Sequence, residues 1–544
     1  MIIKLIQLVS HSHLSSRKDL TNEPTEKNCV RLQDDASKII CTCDKTNCDG
    51  LEFDWPSERG EARLVETTKS GRRFRSTTLN FSKDFEADES SSISVIGVDL
   101  AREQQTIIGF GGAFTDAAAI NINSLSKPVR DKLLASYFGP TGLQYSFGRV
   151  PIAGSDFSTR AYSYDDANFI DYELKEWRLA SEDLDHKIPV IKRALELAED
   201  TAPKLKLFAS PWSPPTWMKT SRSFERGHLI DDDRVYRAYA NYLIKFYKAY
   251  RQNGIAFWGA TVQNEPVAAY LPFYFFNSLQ MSASETRRFV VDHLGPALEA
   301  EGFNKRNFKL MIGDDSLLFV NQMTSLLDDF KVQKYVSGLG FHWYTSALLA
   351  PYSSLSKLTD SVKGKVDFVM MTEACNGAMT LWGKHVDLGS WDRGESYATD
   401  IIEDFRRQTN AWIDWNLALD EQGGPNWSGN FVDSPIIVNK DKDEFYKQPM
   451  YYALAHFSRF LRPNSVILAS ELENQNYFEK LMILAARNEE TDHLIINILN
   501  TATSARKLQL KIKTNTTQGG ELLSQSLGPF QVEGKSINTL VLKL

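Results

Sequence analysis

The spacing of hydrophobic positions changes twice along the chain. Between about residues 105 and 416, short apolar runs rich in β-branched residues end in polar or aromatic residues, and amphipathic stretches lie between them. The runs cover 106–112, 145–150, 205–210, 257–263, 308–313, 339–344, 366–372 and 411–416. Helical spacing recurs over 188–199, 234–251 and 284–300. Eight strand–helix units are the number that closes a (β/α) barrel, so this region is expected to be one.

The flanks read differently. Residues 25–105 are irregular and strand-rich, with β-like stretches at 73–79 and 93–100. The second alternates except at Ile96-Gly97, where a bulge is expected to restore the pattern. Beyond Phe457, the alternating stretches 480–485, 493–499, 507–512 and 538–544 are separated by turn residues, as in a β-sandwich. The amino-terminal strands are expected to complete that sandwich.

Composition narrows the class. The 544 residues exceed one simple core, which implies two or three domains. A net charge of −7 without a basic or acidic block gives no sign of nucleic-acid binding. No stretch reaches the roughly 18 apolar residues of a membrane span, so any membrane contact is expected to be peripheral. Residues 1–10 are apolar but interrupted by Lys4 and Gln7, a short and poor leader. Four of the five cysteines, Cys29, Cys41, Cys43 and Cys48, crowd together, which favours a disulfide knot made in the secretory pathway. A zinc site would call for CxxC pairs or interleaved histidines, and neither occurs. Cys41 and Cys43 are too close to pair comfortably. Sequons at Asn80, Asn426 and Asn515 lean toward the same route.

The chemistry sits where strands end. Glu265 closes the fourth run within Asn264-Glu265-Pro266, and Glu373 closes the seventh within Glu373-Ala374-Cys375. Two carboxyls at the carboxyl ends of barrel strands are what cleavage of a glycosidic bond requires. The alternative, two surface glutamates on loops, does not explain the strand-terminal Asn-Glu pair. Asp156, Trp212, Asn264, His342, Trp343, Tyr344, Trp415 and Asn430 also fall at or beyond strand ends. Indole faces and amides suit a pyranose, although any single tryptophan is more simply a core residue. Glu265, beside an amide that could hold a sugar 2-hydroxyl, fits the acid/base. Glu373 fits the nucleophile, kept ionised by a tyrosine hydroxyl one strand away. Cys375 is read as a buried cysteine shaping the loop, because no histidine is placed to activate it.

Longer motifs point further. Gly109-Phe110-Gly111-Gly112-Ala113, the segment from Ala209 to Trp217, Leu388 to Gly394, and Asp414 through Asp433-Ser434-Pro435 closely resemble the acid glucosylceramidases of glycoside hydrolase family 30. The resemblance runs from Cys29 to the carboxyl terminus. It implies a retaining β-glucosidase that releases glucose and ceramide from glucosylceramide in membranes, with Glu265 as acid/base and Glu373 as nucleophile. It places Asp156, Trp212, Asn264, Trp415 and Asn430 in the glucose subsite. Arg149, His342 and Tyr344 fall around the carboxylates, and Tyr274 and Phe276 on an aromatic lip where the lipid leaves. It pairs Cys29 with Cys41 and Cys43 with Cys48. No metal or organic cofactor is called for. Anionic phospholipid, a saposin-type activator and a lysosomal sorting receptor are the implied partners, and the lysosome lumen or secretion the implied location. The implied fold is an α/β protein: a (β/α)8 TIM barrel over 105–416 plus 449–463, an immunoglobulin-like β-sandwich over 53–104 plus 464–544, and a small knotted antiparallel sheet over 25–52 plus 417–448.

The chain departs from the family pattern at Ser316-Leu317, inside the knot at Asp44-Lys45-Thr46, and across the 268–278 loop. Two other readings are compatible with the residues. One is a family 30 β-glucosidase acting on a sterol or aryl glucoside. The other is a catalytically silent glycolipid-binding module or decoy partner, against which both carboxyls argue.

Overall fold

The eight runs form eight parallel strands in the computed structural model of the protein, which describes residues 29–79, 93–201, 204–272, 274–344, 351–378, 384–473, 480–518 and 521–544. The apolar leader and the sequon at Asn80 lie outside the described residues, as does the side chain of Asn515. The strands are β1 (Gly109–Ala113), β2 (Phe147–Ile152), β3 (Lys206–Pro211), β4 (Gly259–Thr261), β5 (Lys309–Ser316), β6 (Val336–His342), β7 (Phe368–Glu373) and β8 (Ala411–Asn416). Each pairs with the next, and β8 closes on β1 through Ala411↔Gly109, Trp412↔Phe110 and Ile413↔Gly111. Strands covered on both faces carry apolar residues without alternation, which is why they read as continuous runs.

Large side chains fill the barrel interior. Phe147, Phe208, Met311, Phe368, Met370 and Ile413 pack together, with Trp258 against them. Gly338 leaves room for this filling, since a Cβ there would lie 2.2 Å from the Phe368 ring. The packed interior is a plug, and chemistry is left to the face where the strands end. The expected helices are present, as Ile188–Leu197, Asp233–Gln252 and a near-continuous helical run from Ala283–Arg288 to Gly295–Ala300.

Two further sheets flank the barrel. A five-stranded sheet joins Cys29–Arg31 and Ile39–Cys43 to Glu444–Lys447, Ile436–Asn439 and Leu419–Asp420. It carries the disulfides Cys29–Cys41 and Cys43–Cys48. A nine-stranded sheet combines strands from both chain ends, with its own core of residues such as Leu64, Ile96, Ile483, Ile496, Leu510 and Leu540. The opposite side chains of its strands, among them Leu484, Ile495 and Val541, pack into the barrel's core.

The first barrel run was expected to begin at Thr106. Instead Thr106 ends a long strand of the nine-stranded sheet, Ile93–Thr106, and the barrel strand starts at Gly109. No irregularity falls at Ile96-Gly97, where pairing with Leu472 and Glu471 is regular. The register shifts come between Asp99 and Thr106, because the partner strand Val466–Glu473 is shorter than the segment opposite it.

Candidate active site

The strand ends converge on one buried guanidinium. Arg149, on β2, is fully buried and divides its donors among four groups. One terminal nitrogen meets a Glu373 oxygen. The other donates to Asn264 Oδ1 at 2.8 Å and to both Asp314 oxygens at 2.9 and 3.1 Å, while Nε reaches Ser210 Oγ at 3.2 Å. Its carbon centre lies 5.0 Å from the Trp212 ring and 5.3 Å from the Trp415 ring, which are themselves stacked. Burial works against this charge, but Asp314 and Glu373 outweigh it and raise the arginine further.

His342 is the second cation. Nδ1 lies 3.0 Å from a Glu265 oxygen and Nε2 lies 3.0 Å from Asp314 Oδ1. Burial alone would lower its pKa; the Glu373 charge and the bonds to Asp314 and Glu265 instead lift it to about 10. With a carboxylate on each nitrogen, the ring is an imidazolium.

Asp314 is the fixed anion between the two. Burial raises it, but Arg149, His342 and the hydroxyls of Thr261 (2.6 Å) and Thr372 (2.7 Å) hold it far below the usual carboxylate range. Glu265 and Asp314 both sit in the left-handed region, with φ of 46° and 53°, and Glu265 N donates to Asp314 O at 2.8 Å. Such strain is stored where structure over-determines the backbone, and functional sites are where it collects.

The two glutamates differ in their company. Glu373 accepts from Tyr344 at 2.6 Å and from Arg149. Burial raises its carboxyl overall, with the Glu265 charge adding to it, although His342 and Arg149 pull it down. Glu265 accepts from the Tyr274 hydroxyl on one oxygen and meets His342 on the other. An oxygen of Glu265, an oxygen of Glu373 and a His342 nitrogen all lie within 4.8 Å of one another. These three have the spacing of metal ligands, but both histidine nitrogens already face carboxylates and Arg149 occupies Glu373. The centre supplies its own cations.

Around this centre the sugar-binding candidates gather. Asp156 accepts from Asn430 at 3.0 Å and from Asn426 at 3.4 Å, and burial lifts it to about 7. Asn264 has its oxygen fixed on Arg149, and its Nδ2 meets no acceptor among the described residues. Among the described residues no acceptor meets the indole nitrogens of Trp212 and Trp415. Phe276 packs 4.1 Å from Tyr274, centroid to centroid.

Trp343 is the exception. Its indole donates to Cys375 O at 3.1 Å and packs edge-on against Tyr397 in the helical layer, away from the centre. Successive strand residues point to opposite faces, so His342 and Tyr344 face the site and the residue between them does not. Tyr274 also departs from its expected place. It is buried and bonded to Glu265, deeper than a lip residue. The Asn426 sequon is used inside the site, with Nδ2 also on Asn430 O at 3.0 Å. Asp314 and Asp315 were missed as site residues. They end the fifth run, and the criterion that found Glu265 and Glu373 applies equally to them.

The chain is similar to known proteins over most of its length. The sequence model of the glycosyl hydrolase family 30 TIM-barrel domain matches residues 107–461. Putative glucosylceramidase 3 of Caenorhabditis elegans is 42% identical over 438 residues, covering 80% of this chain and 82% of that protein. The lysosomal acid glucosylceramidase of Mus musculus is 38% identical over 449 residues, covering 81% of this chain and 85% of the mouse protein. Among solved structures, SrfJ from Salmonella typhimurium aligns with a TM-score of 0.76 at 27% identity, covering 89% of this chain and all of that one.

Proposed function

The chain belongs to glycosyl hydrolase family 30, and from that membership we propose that it is a retaining β-glucosidase that hydrolyses glucosylceramide to glucose and ceramide. The observation that carries the mechanism is the approach of Glu265 and Glu373 to within 4.8 Å, oxygen to oxygen. Retaining enzymes hold their carboxyls about 5–5.5 Å apart, and inverting ones about 6.5–9.5 Å, to admit a water between them. The close spacing supports direct attack by one carboxylate on the anomeric carbon.

Charge balance supports the division of roles. Arg149 and His342 contribute two positive charges, and Asp314 takes one negative charge permanently. One further anion makes this buried group neutral, and a second leaves an uncompensated charge. Glu373, with Arg149 and Tyr344 both donating to it, is placed to be that anion, while Glu265 holds the proton. Glu373 attacks the anomeric carbon as Glu265 protonates the departing oxygen. Glu265 then takes a proton from the water that releases glucose. Asn264 Nδ2 is placed to hold a hydroxyl of the sugar beside Glu265. Asp156 with Asn430, and the edges of Trp212 and Trp415, supply the rest of the glucose subsite.

The lipid aglycone has support in the segments that follow β4 and β5. Tyr270, Phe275 and Leu318 are large apolar residues exposed there by 44%, 56% and 40%. An apolar rim suits an enzyme that takes its substrate from a bilayer. No helix among the described residues is long and apolar enough to cross a membrane. Anionic phospholipid, a saposin-type activator, a sorting receptor and a lysosomal or secreted location belong to the same proposal.

The test is glucose release from glucosylceramide in anionic liposomes at mildly acidic pH, with Glu373→Gln as control. Release that the substitution abolishes is the expected result. Turnover of a soluble aryl β-glucoside without turnover of the lipid would keep the mechanism and move the enzyme to another aglycone. Failure on both would sink the proposal.

A further inference from the structure

The backbone ladder between β3 and β4 stops short of the glucose subsite. The two strands pair only at Phe208↔Gly259 and Ala209↔Ala260, and Trp212 and Asn264 lie beyond both pairs. Past the ladder the strand ends meet at three points. Thr261 Oγ1 lies 2.8 Å from Ser210 Oγ, Asn264 N donates to Pro211 O at 3.0 Å, and Gln263 Nε2 donates to Trp212 O at 2.7 Å. The same Nε2 reaches Asn264 O at 3.1 Å. Gln263 is buried, and the mechanism above does not use it. Two carbonyl oxygens require the amide nitrogen on that side, and its hydrogens serve both. The amide oxygen is left for the Tyr239 hydroxyl, which donates at 3.3 Å from the helix Asp233–Gln252.

We infer that Gln263 is the positioning residue of the glucose subsite: its amide sets the spacing between Trp212, beyond β3, and Asn264, beyond β4. The inference rests on reading those two as glucose-binding residues. Among the described residues no other donor meets Trp212 O or Asn264 O. A buried carbonyl that loses its donor stays unpaired or shifts toward another partner. Asn264 is anchored at its side chain, where Oδ1 meets Arg149, so the slack falls on Trp212. The Trp212 ring stacks on Trp415 and lies against the Arg149 guanidinium, so a shift there disturbs the wall that faces the sugar. Gln263 itself touches no substrate in this reading and acts through its two neighbours. A hydrocarbon side chain of the same length would fill its space without holding them.

Gln263→Leu keeps the bulk and removes the donor. Affinity for a non-hydrolysable aryl β-thioglucoside, read by calorimetry at mildly acidic pH, is expected to fall about tenfold. KM should rise by a similar factor for an aryl β-glucoside and for glucosylceramide, because both carry the same sugar. Gln263→Glu restores a donor under these conditions, since a buried carboxyl facing two carbonyl oxygens keeps its proton. Its affinity should return close to the wild-type value. Gln263→Met replaces the leucine variant should that one not fold. Wild-type affinity in the apolar variant overturns the inference. Equal loss in the apolar and glutamate variants also overturns it, because the side chain would then matter only for its packing. A loss confined to the lipid substrate does the same, by moving the effect to the aglycone side. Asn264→Ala separates this from the parent reading. If that variant binds the thioglucoside as the wild type does, the subsite reading falls and the inference with it. If it binds weakly while the apolar Gln263 variant binds normally, only the inference falls.

Discussion

A guanidinium removed from water needs every donor matched, and Arg149 has its partners in three directions at once: Glu373, Asp314 with Asn264, and Ser210. Lysine carries the same charge as a point and cannot fork between them. Arg149→Lys is therefore expected to fold and to lose about 10²-fold in kcat, because Glu373 and Asn264 lose their common alignment. Wild-type kcat in that variant would disprove the alignment role. Tyr274 makes a second residue-level case. Its hydroxyl occupies a Glu265 oxygen in the free enzyme, so substrate must share or displace that bond. Tyr274→Phe should change kcat on poor leaving groups more than on activated ones; an equal change on both would return Tyr274 to a lip residue. The glutamates could be found from sequence because a strand terminus marks them. The contact of Tyr274 could not, because it depends on how the 268–278 loop folds back.

Among the loops, Lys219 is the tie. Its buried ammonium donates to Ser213 Oγ at 2.9 Å, Phe224 O at 2.8 Å and Ser278 O at 2.6 Å, joining three segments beside Trp212 and Tyr274. Burial lowers it to about 6. Lys219→Met leaves Ser278 O without its donor, at about 1–3 kcal/mol for a buried unpaired oxygen, while Phe224 O keeps the Ser278 N–H and the Ser213 hydroxyl keeps Pro214 O. The expected outcome is a lower melting temperature and a raised KM for lipid substrate, read by thermal melting and liposome kinetics. Unchanged KM would show that the lip does not depend on the tie. At this scale the sequence was most legible where burial is symmetric: all eight barrel strands lie within their apolar runs or shifted by a few residues. Legibility failed where pairing decides. Val466–Glu473 carries exposed and half-buried positions that hide its alternation, and Glu521–Val532 carries Gly528-Pro529, which reads as a turn. Both are strands because neighbours far away in sequence complete them. The same partner strand set the true position of the register shifts.

For the whole molecule, buried acids set the direction in which stability depends on pH. Burial raises Asp156 and Asp315 to about 7 and Asp400 to about 6, and raises Asp404 as well. Such groups are protonated in the fold and ionised in the unfolded chain. Their contribution is fully present below the unfolded carboxylate pKa near 4 and is lost as pH rises through 6 to 7. His456 and Lys219 oppose them: burial lowers His456 to about 3 and Lys219 to about 6, so acidification below their unfolded values favours the unfolded chain. The raised acids outnumber these two bases, and the melting temperature is expected to be a few degrees higher at pH 5.5 than at pH 7.5. The Asp400–Asp404 pair, one turn apart on the helix Trp391–Phe405, isolates the effect away from the active site. Asp400 accepts from Tyr352 at 3.0 Å and from Trp412 at 2.9 Å, whereas Asp404 Oδ2 is buried with no hydrogen-bond partner among the described residues. Asp404 also suffers the Asp400 charge. Asp404→Asn removes a buried carboxyl whose ionisation the fold opposes. It should raise the melting temperature more at pH 7.5 than at pH 5.5, and leave kcat alone. An equal shift at both pH values would mean that packing, not proton linkage, governs the site.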